Sequence, residues 1–252
     1  YDENGKVYEG EFKGNVEKGF VREGFGKEYR MVEEKITSRA KPTIEIEKKR
    51  FCCWVREIEH EVAGVELVTK KYREEVVEGY WKDGKKNGMI YELDENGKAK
   101  RGCLYENDAM KWVVVEIKGS EMVEYDRNGK KVYEGGYGGD SVNGFVREGK
   151  GYCYEGNGSD MKYCVYGGGS VIRVIVEIKG SVMTEYDNNG KKKYVGGFKG
   201  DRKSGFVRNG EGKEMDGSGK VVRSGCWVDG VYYLMIPSSL TSNPLGIEEL
   251  KI

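Results

Sequence analysis

The residues of this chain that could carry out acid–base or nucleophilic chemistry are few and scattered. His60 is the only histidine, and it lies between Glu59 and Glu61 in a charged segment. A Ser-His-Asp or Cys-His catalytic set would have to use this side chain. Nothing in its local sequence distinguishes it from a residue on a solvated strand face. The sequence therefore predicts no catalytic residue, and we expect a protein that is not an enzyme.

The cysteines do not show the spacing of a metal site. Structural zinc sites use clustered Cys and His residues at short spacings, and the sequence contains no C-x-x-C. Three cysteines recur at intervals of 61 and 62 residues, which places them at equivalent repeat positions. We therefore expect thiols buried or half-buried on strands, in a reducing compartment, and no metal site. The six cysteines are Cys52, Cys53, Cys103, Cys153, Cys164 and Cys226.

Two further patterns could suggest chemistry, and for both a structural role is favoured. Gly24–Gly26, Gly149–Gly151 and Gly210–Gly212 lack the G-x-x-x-x-G-K-[ST] spacing of a phosphate loop, and no helix pattern follows them. Recurring acids are more typical of a solvated face that pairs with cross-strand lysines than of a glycosidase cleft. We therefore predict no cofactor. The recurring acids are Glu116, Glu177, Asp126 and Asp187.

The composition indicates which elements carry these residues. There are 28 valines and 18 tyrosines but only four alanines and seven leucines, a bias towards strands. Acidic and basic residues balance at 43 each, which argues against a nucleic-acid or membrane-surface binder. No apolar run approaches the ~20 residues of a membrane helix.

A repeat organises most of the chain. A tyrosine is followed by Gly two residues later and by an aromatic residue two further on, and a second Gly plus an apolar residue comes seven residues after that. The copies begin Tyr8-Gly10-Phe12, Tyr133-Gly135-Tyr137 and Tyr194-Gly196-Phe198, with a partial copy at Val77-Gly79-Trp81. The second element is Gly19-Phe20, Gly88-Met89, Gly144-Phe145 and Gly205-Phe206.

This spacing predicts strands with glycine seats for aromatic rings. Residues i, i+2 and i+4 share one strand face, and a ring from the neighbouring strand can cover the gap that glycine leaves. Asn-Gly turns inside D-x-N-G-K, such as Asn128-Gly129 and Asn189-Gly190, separate the strands. With further strands at Val113–Ser120 and Val174–Ser181, each 61-residue block holds about three hairpins.

The segments YEGEFKGN…GFVREGFGKEY and WKDGKKNG resemble the MORN (membrane occupation and recognition nexus) repeat, with its Tyr-x-Gly, aromatic, Gly-x-Gly pattern. The resemblance is clearest at residues 1–29, 78–106, 124–154 and 185–230. It implies an all-β protein, an elongated, twisted, single-layer antiparallel sheet of consecutive hairpins. It also implies a role as a scaffold, dimerisation or protein-binding module. The balanced charge gives no independent support for the lipid binding in the family's name.

Two segments break the pattern. Residues 31–50 are charged and predict a loop or longer hairpin in which Ile44 and Ile46 begin a strand. A helix is the alternative for residues 57–78, but Gly64 and the valine and threonine content favour two strands there. Residues 1–236 are thus expected to form the repeat array. In the extension at residues 237–252, I-E-E-L-K-I resembles the core of a leucine-rich repeat. The alternative is an ordered extension that caps the last hairpin.

The leading functional hypothesis is a non-enzymatic interaction scaffold that binds a protein partner or itself, in the cytoplasm and associated with the cytoskeleton. Exposed aromatic rings make good binding anchors, and the candidates are Trp54, Trp81, Trp112 and Trp227. The alternative for each is burial against a glycine of its neighbour, which holds the stack together. Two other functions stay open: a carbohydrate- or cell-wall-binding module, suggested by the aromatic segment Cys226–Tyr233, and an accessory domain of a larger protein.

Overall fold

The computed structural model describes residues 6–39, 43–51, 54–62, 65–156, 158–235 and 247–248. Within these ranges the chain consists of strands and turns, with no helix, as the composition predicts. The strands are β1 (Lys6–Asn15), β2 (Gly19–Arg39), β3 (Thr43–Phe51), β4 (Trp54–Val62), β5 (Val65–Lys82), β6 (Lys85–Leu93), β7 (Ala99–Glu106), β8 (Ala109–Lys118), β9 (Glu121–Tyr125), β10 (Lys131–Asp140), β11 (Gly144–Glu155), β12 (Asp160–Gly167), β13 (Ser170–Lys179), β14 (Val182–Tyr186), β15 (Lys192–Asp201), β16 (Gly205–Met215), β17 (Val221–Val228), β18 (Val231–Met235) and β19 (Ile247–Glu248).

Sixteen of the described strands, β1, β2 and β5–β18, form one continuous antiparallel sheet in which each strand pairs with the next of this set. Short turns connect nearly all of them, so the sheet is a series of consecutive hairpins. This confirms the all-β, single-sheet hairpin architecture expected from the sequence. The number of elements per block differs from the expectation, because a 61-residue block such as β10–β14 contains five strands and not three full hairpins.

The sheet coils so that strands five positions apart come into contact. Ser141, at the turn after β10, hydrogen-bonds Glu78 of β5, and Arg202, at the turn after β15, pairs with Glu134 of β10. The right-handed twist of strands allows a long sheet to curl in this way. One turn of the coil therefore corresponds to one block of the repeat.

An insertion projects from the first block. Beyond the main sheet β2 and β5 continue as a two-stranded arm, paired from Arg30↔Glu74 to Arg39↔Val65. β3 and β4 pair separately, from Thr43↔Val62 to Phe51↔Trp54. The strand expected at Ile44 and Ile46 is thus β3, and the two strands expected in residues 57–78 are the end of β4 and most of β5.

The D-x-N-G-K segments form turns that the aspartate organises. Asp126 Oδ1 accepts hydrogen bonds from the backbone N–H groups of Asn128 and Lys130, at 2.9 Å each. The N–H of Gly129, which has a φ of 74°, donates to the Asp126 carbonyl. This explains the fixed order of residues, because only glycine adopts that φ readily. The same arrangement occurs at Asp94, Asp187 and Asp216.

The C-terminal extension lies almost entirely outside the described residues. Its described part is the pair Ile247–Glu248, which pairs antiparallel with Met235 and Leu234 of β18. The resemblance to a leucine-rich repeat in residues 237–252 stays a prediction.

Candidate functional site

Each complete repeat seats a tyrosine ring over two glycines that face each other across paired strands. Tyr133 of β10 covers Gly135 of its own strand and Gly151 of β11, which are direct partners in the ladder. A Cβ added at Gly151 would lie 2.4–2.6 Å from Tyr133 ring and hydroxyl atoms, so the ring occupies the space of any larger side chain. This confirms the predicted role of the glycines. The equivalent sets are Tyr8 with Gly10 and Gly26, and Tyr194 with Gly196 and Gly212.

A β-bulge next to this seat was not anticipated. The register with β11 shifts between Gly135 and Tyr137, where the single residue Gly136 lies opposite residues 148–150, so the extra residues of the bulge belong to β11. The Tyr133 hydroxyl donates a hydrogen bond to the Gly136 carbonyl at 2.7 Å. The bulge thus interrupts the strict alternation expected from the sequence, and the tyrosine closes it. The corresponding bonds are Tyr194 to Gly197 at 2.9 Å and Tyr8 to Glu11 at 3.3 Å.

The same tyrosine also reaches the third strand of each unit. Tyr133 of β10 meets Tyr166 of β12 edge to face, with ring centroids 5.1 Å apart. Gly151 of the intervening β11 leaves the passage for this contact. The ring therefore ties three consecutive strands together. The pairs Tyr194–Trp227 and Tyr8–Trp81 repeat the contact with the same 5.1 Å separation.

An arginine lies over each of these tyrosines. The guanidinium of Arg147 lies 4.6 Å from the Tyr133 ring centroid and pairs with Glu124, Nη2 to Oε2 at 2.6 Å. Burial disfavours the charged guanidinium, but the hydrogen bonds to Glu124 outweigh this and raise the pKa of Arg147 above its ordinary value. Arg208 over Tyr194 and Arg22 over Tyr8 are equivalent. Sequence reasoning missed these residues, although the recurring Gly-Phe-Val-Arg was a visible signal.

Three of the four predicted tryptophans have described side chains, and they fall into two groups. Trp81 and Trp227 are buried, with 3% and 1% of their surfaces exposed, and both serve as third-strand rings. They thus follow the burial alternative and offer no face to a partner. Trp112 is half-buried beside the guanidinium of Arg127, 5.5 Å from its ring. The side chain of Trp54 lies outside the described residues.

Two of the three hairpin tips pack onto the block that precedes them in the coil. We define the tips as the turns at residues 15–19, 140–144 and 201–205, which join β1–β2, β10–β11 and β15–β16. Ser141 Oγ donates to the buried carboxylate of Glu78, and Arg202 pairs with the buried carboxylate of Glu134. Glu78 and Glu134 occupy equivalent repeat positions. The same contact between tip and glutamate is therefore made once by a serine hydroxyl and once by an arginine.

Aromatic contacts accompany these polar ones. Phe145, just after the β10–β11 tip, meets Tyr91 of β6 with ring centroids 5.4 Å apart. Phe206, at the equivalent position after the β15–β16 tip, meets Tyr152 of β11 at 6.5 Å. Both phenylalanines are half-buried as a result. The tips therefore supply the interface between successive turns of the coil.

The turn at residues 15–19 has the same residue pattern but is exposed, and we use the name first tip for this turn together with its flanking Phe12 and Phe20. Phe12 is 51% exposed, Val16 90% and Phe20 64%. Phe20 is equivalent to Phe145 and Phe206, which are covered in the later blocks. Within the described residues, the β1–β2 tip is thus an apolar surface whose counterparts form the contacts between turns.

Two cysteines on the neighbouring strands β11 and β12 lie close together. Cys164 is buried and Cys153 half-buried, and both are free thiols. The Cys164 thiol can donate a hydrogen bond to a Cys153 thiolate, which lowers the pKa of Cys153 to about 6. The same coupling and burial raise the pKa of Cys164. Cys103 is also a buried free thiol and Cys226 a half-buried one, whereas Cys52 and Cys53 lie outside the described residues.

The recurring acids have structural partners. Glu116 pairs with Lys118 at 3.1 Å and accepts a hydrogen bond from Tyr125, and Glu177 does the same with Lys179 and Tyr186. Lys118 and Lys179 lie on the same strands as the acids they pair with, and the expected cross-strand lysine occurs only as Lys162, 3.7 Å from Glu177, among the described ion pairs of these two acids. Asp126 and Asp187 organise turns. The side chain of His60 lies outside the described residues.

Across the described ranges, no group of three or more His, Cys, Asp or Glu residues is placed to hold a metal ion. A search of the same residues found no helix with the length and apolar character needed to cross a membrane. No protein-family model matches the chain, and no curated protein matches it.

Proposed function

We propose that this chain is a non-enzymatic protein-interaction module, a scaffold built of MORN-like repeats. The observation that carries the proposal is the exposed apolar tip formed by Phe12, Val16 and Phe20. Large exposed apolar side chains near one another on a hairpin end are typical of an interaction site. Aromatic side chains at the centre of such surfaces contribute most of the binding free energy in protein complexes.

The distribution of the aromatic residues supports a scaffold. The recurring ring positions of the repeat, such as Tyr133, Tyr194 and Trp227, are buried and hold strands together. The repeat itself thus builds a rigid coiled sheet. Binding falls to the side chains that the coil leaves uncovered, and the first tip presents the two exposed phenylalanines Phe12 and Phe20.

The experiment compares proteins retained by the immobilised full chain and by the variant Phe12→Ser/Phe20→Ser. The matched control is Val221→Ser/Val222→Ser, which removes two exposed valines from β17. We expect the chain and the control to retain the same protein, and the tip variant to bind the purified partner at least about tenfold more weakly, a difference of about 1.4 kcal/mol. A second copy of the chain counts as a partner. Equal retention by the tip variant, or no retained protein and a strictly monomeric chain, would contradict the proposal.

A further inference from the structure

The surface that receives each tip has the same two positions in every block. One directly follows the position of the tyrosine that covers the two glycines. The other directly follows the position of the second of these glycines. In the first block that receives a tip, Ile90 stands in place of that second glycine. In that block these residues are Glu78 and Tyr91, and in the next they are Glu134 and Tyr152. We call this pair of positions with the adjacent glycine positions the acceptor face. In the last block, on β15 and β16, the corresponding residues are Val195 and Lys213.

The last acceptor face is uncovered in the described part of the chain. Gly135 and Gly151 of the middle block are buried beneath the β15–β16 hairpin, whereas the equivalent Gly196 and Gly212 are only half-buried. Lys213 is exposed. A groove of about 540 Å³ runs over this face, lined by Val182, Val195, Gly196, Glu211, Gly212, Lys213, Ser224 and Gly225.

The exposed first tip carries the residues that would complete this face. Val16 is equivalent to Ser141 and Arg202, the side chains that contact Glu78 and Glu134. Phe20 is equivalent to Phe145 and Phe206, the rings that contact Tyr91 and Tyr152. A tip and an acceptor face with complementary positions are thus both left uncovered by the part of the chain that the structure describes.

The chemistry of the two uncovered surfaces also matches. Inside the chain, a polar tip residue meets a glutamate. At the uncovered surfaces both glutamate and polar partner are replaced, and Val16 would meet Val195 in an apolar contact. Phe20 would lie against the ammonium of Lys213, a favourable cation–π arrangement. Neither Val16 nor Val195 would match the polar partners found at the internal contacts, because a buried glutamate opposite valine would lose the hydrogen bond that the tip residue donates.

We infer that the chain associates head to tail with a second copy, the β1–β2 tip of one copy docking on the β15–β16 acceptor face of the other. The contact repeats, between molecules, the interface that joins successive turns of the coil within one molecule. Because tip and acceptor face are different surfaces, the contact is heterologous and leaves one of each uncovered at the ends of a pair. Association therefore proceeds beyond dimers. The inference rests on the proposed protein-binding function and names its partner.

The test uses sedimentation equilibrium of the full chain and of two single variants, Val16→Arg and Val195→Glu. The wild-type chain should show an average mass that rises with concentration beyond that of a dimer. Each variant alone should associate at least about tenfold more weakly, because a charge then faces a valine. An equimolar mixture should regain association as dimers, since the unchanged Val16 tip of one variant fits the unchanged Val195 face of the other. The double variant Val16→Arg/Val195→Glu should regain association beyond dimers, because its arginine and glutamate can pair between copies as Arg202 pairs with Glu134.

The matched control is Val142→Arg, which places the same charge at another exposed valine in a tip turn and should associate like the wild-type chain. Circular dichroism checks that all variants are folded. A monomeric wild-type chain, unchanged association of the single variants, or a mixture that fails to regain association would each overturn the inference. If the wild-type chain is monomeric but the Phe12 and Phe20 tip still binds a different protein, the inference fails while the proposed function stands.

Discussion

The rings of Tyr133 and Tyr166 meet edge to face across an entire intervening strand, with their centroids 5.1 Å apart. Side chains on strands two positions apart in a sheet lie about 10 Å from each other, because neighbouring strands are about 4.7–4.9 Å apart. The contact therefore depends on a strand between them that has no side chain at the crossing point, and Gly151 meets this requirement.

Substitution of Gly151 by alanine should destabilise the chain by about 3 kcal/mol, the upper end of the usual cost of overpacking. The new Cβ would lie within 2.6 Å of Tyr133 ring atoms and force the ring off its seat. Urea denaturation monitored by circular dichroism measures the change as a lower midpoint. The control is Gly217→Ala, where nothing lies within 4 Å of the added Cβ and a shift within about 0.5 kcal/mol is expected. Equal effects at both positions would contradict the seat.

Removal of the Tyr194 hydroxyl should cost about 1 kcal/mol of unfolding free energy, because Tyr194→Phe leaves the Gly197 carbonyl, opposite the bulge of β16, without its 2.9 Å hydrogen bond. The comparison variant is Tyr137→Phe, whose hydroxyl donates to the Gly119 carbonyl at 3.2 Å in an exposed position. Water can replace that bond, so we expect a smaller loss in the same denaturation assay. A larger loss at Tyr137 than at Tyr194 would show that the bulge does not need the tyrosine.

A double-mutant cycle on Arg202 and Glu134 should show that the two side chains are coupled by about 1 kcal/mol. Glu134 is buried and also pairs with Lys131 at 2.6 Å. Loss of Arg202 therefore removes only one of the two cations that balance the buried Glu134 carboxylate. Unfolding free energies of the two alanine variants and their combination measure the coupling. The control cycle is the exposed pair Lys71–Glu33, for which little coupling is expected. A coupling at Arg202–Glu134 no larger than in the control would argue against a tight contact between turns.

Stability should fall in acid partly through Glu28. Burial alone would raise the pKa of this carboxyl, but hydrogen bonds and charge from Lys86 and Lys6 outweigh burial and lower it below 4.5. A carboxyl with a depressed folded-state pKa stabilises the fold above the unfolded-state pKa, and this contribution is lost as the pH falls through the lower folded-state value. Denaturation midpoints from about pH 6 down to about pH 2 should therefore fall more steeply for the wild-type chain than for Glu28→Gln. Parallel profiles would contradict this role of Glu28.

Cys153 should react with iodoacetamide at neutral pH. With its pKa lowered to about 6 by the neighbouring Cys164 thiol, it is mostly thiolate at neutral pH, and the thiolate is the reactive form. Mass spectrometry of the alkylated chain should show a rate that rises through about pH 6. In Cys164→Ala the hydrogen-bond donor is absent and the rise should move towards the ordinary thiol value of 9.0. A rise only at alkaline pH in the wild-type chain would contradict the coupling.

Features that depend on local sequence were predictable. Valine and tyrosine content indicates strands, D-x-N-G-K indicates turns, and the fixed Tyr-Gly spacing indicates ring seats. Each of these is decided by residues within a few positions of one another or by direct ladder partners. The bulge after Gly135 was not predictable from alternation alone, since it breaks the alternation.

Features that depend on the coil were not predictable. Arg202 and Glu134 are far apart in the sequence, and no local pattern indicates that they meet. The same holds for the number of strands per turn. No feature of the local sequence shows that Trp81 and Trp227 are buried and not exposed. They are buried because the rings of Tyr8 and Tyr194 reach across a glycine of the intervening strand and contact them.

The agreement between a 61-residue block and one turn of the coil constrains how such a gene can lengthen. A tandem duplication of a whole block would add five strands and keep every later tip opposite its acceptor face. Duplication of one hairpin would add two strands and displace all later tips from their partners. The β3–β4 insertion displaces no tip, because it lies beyond the arm formed by β2 and β5 and adds no strand to the coil. β2 and β5 remain neighbours in the sheet. Sequence length can thus be gained freely at the arm, but from β5 onwards the sheet can lengthen only in whole blocks.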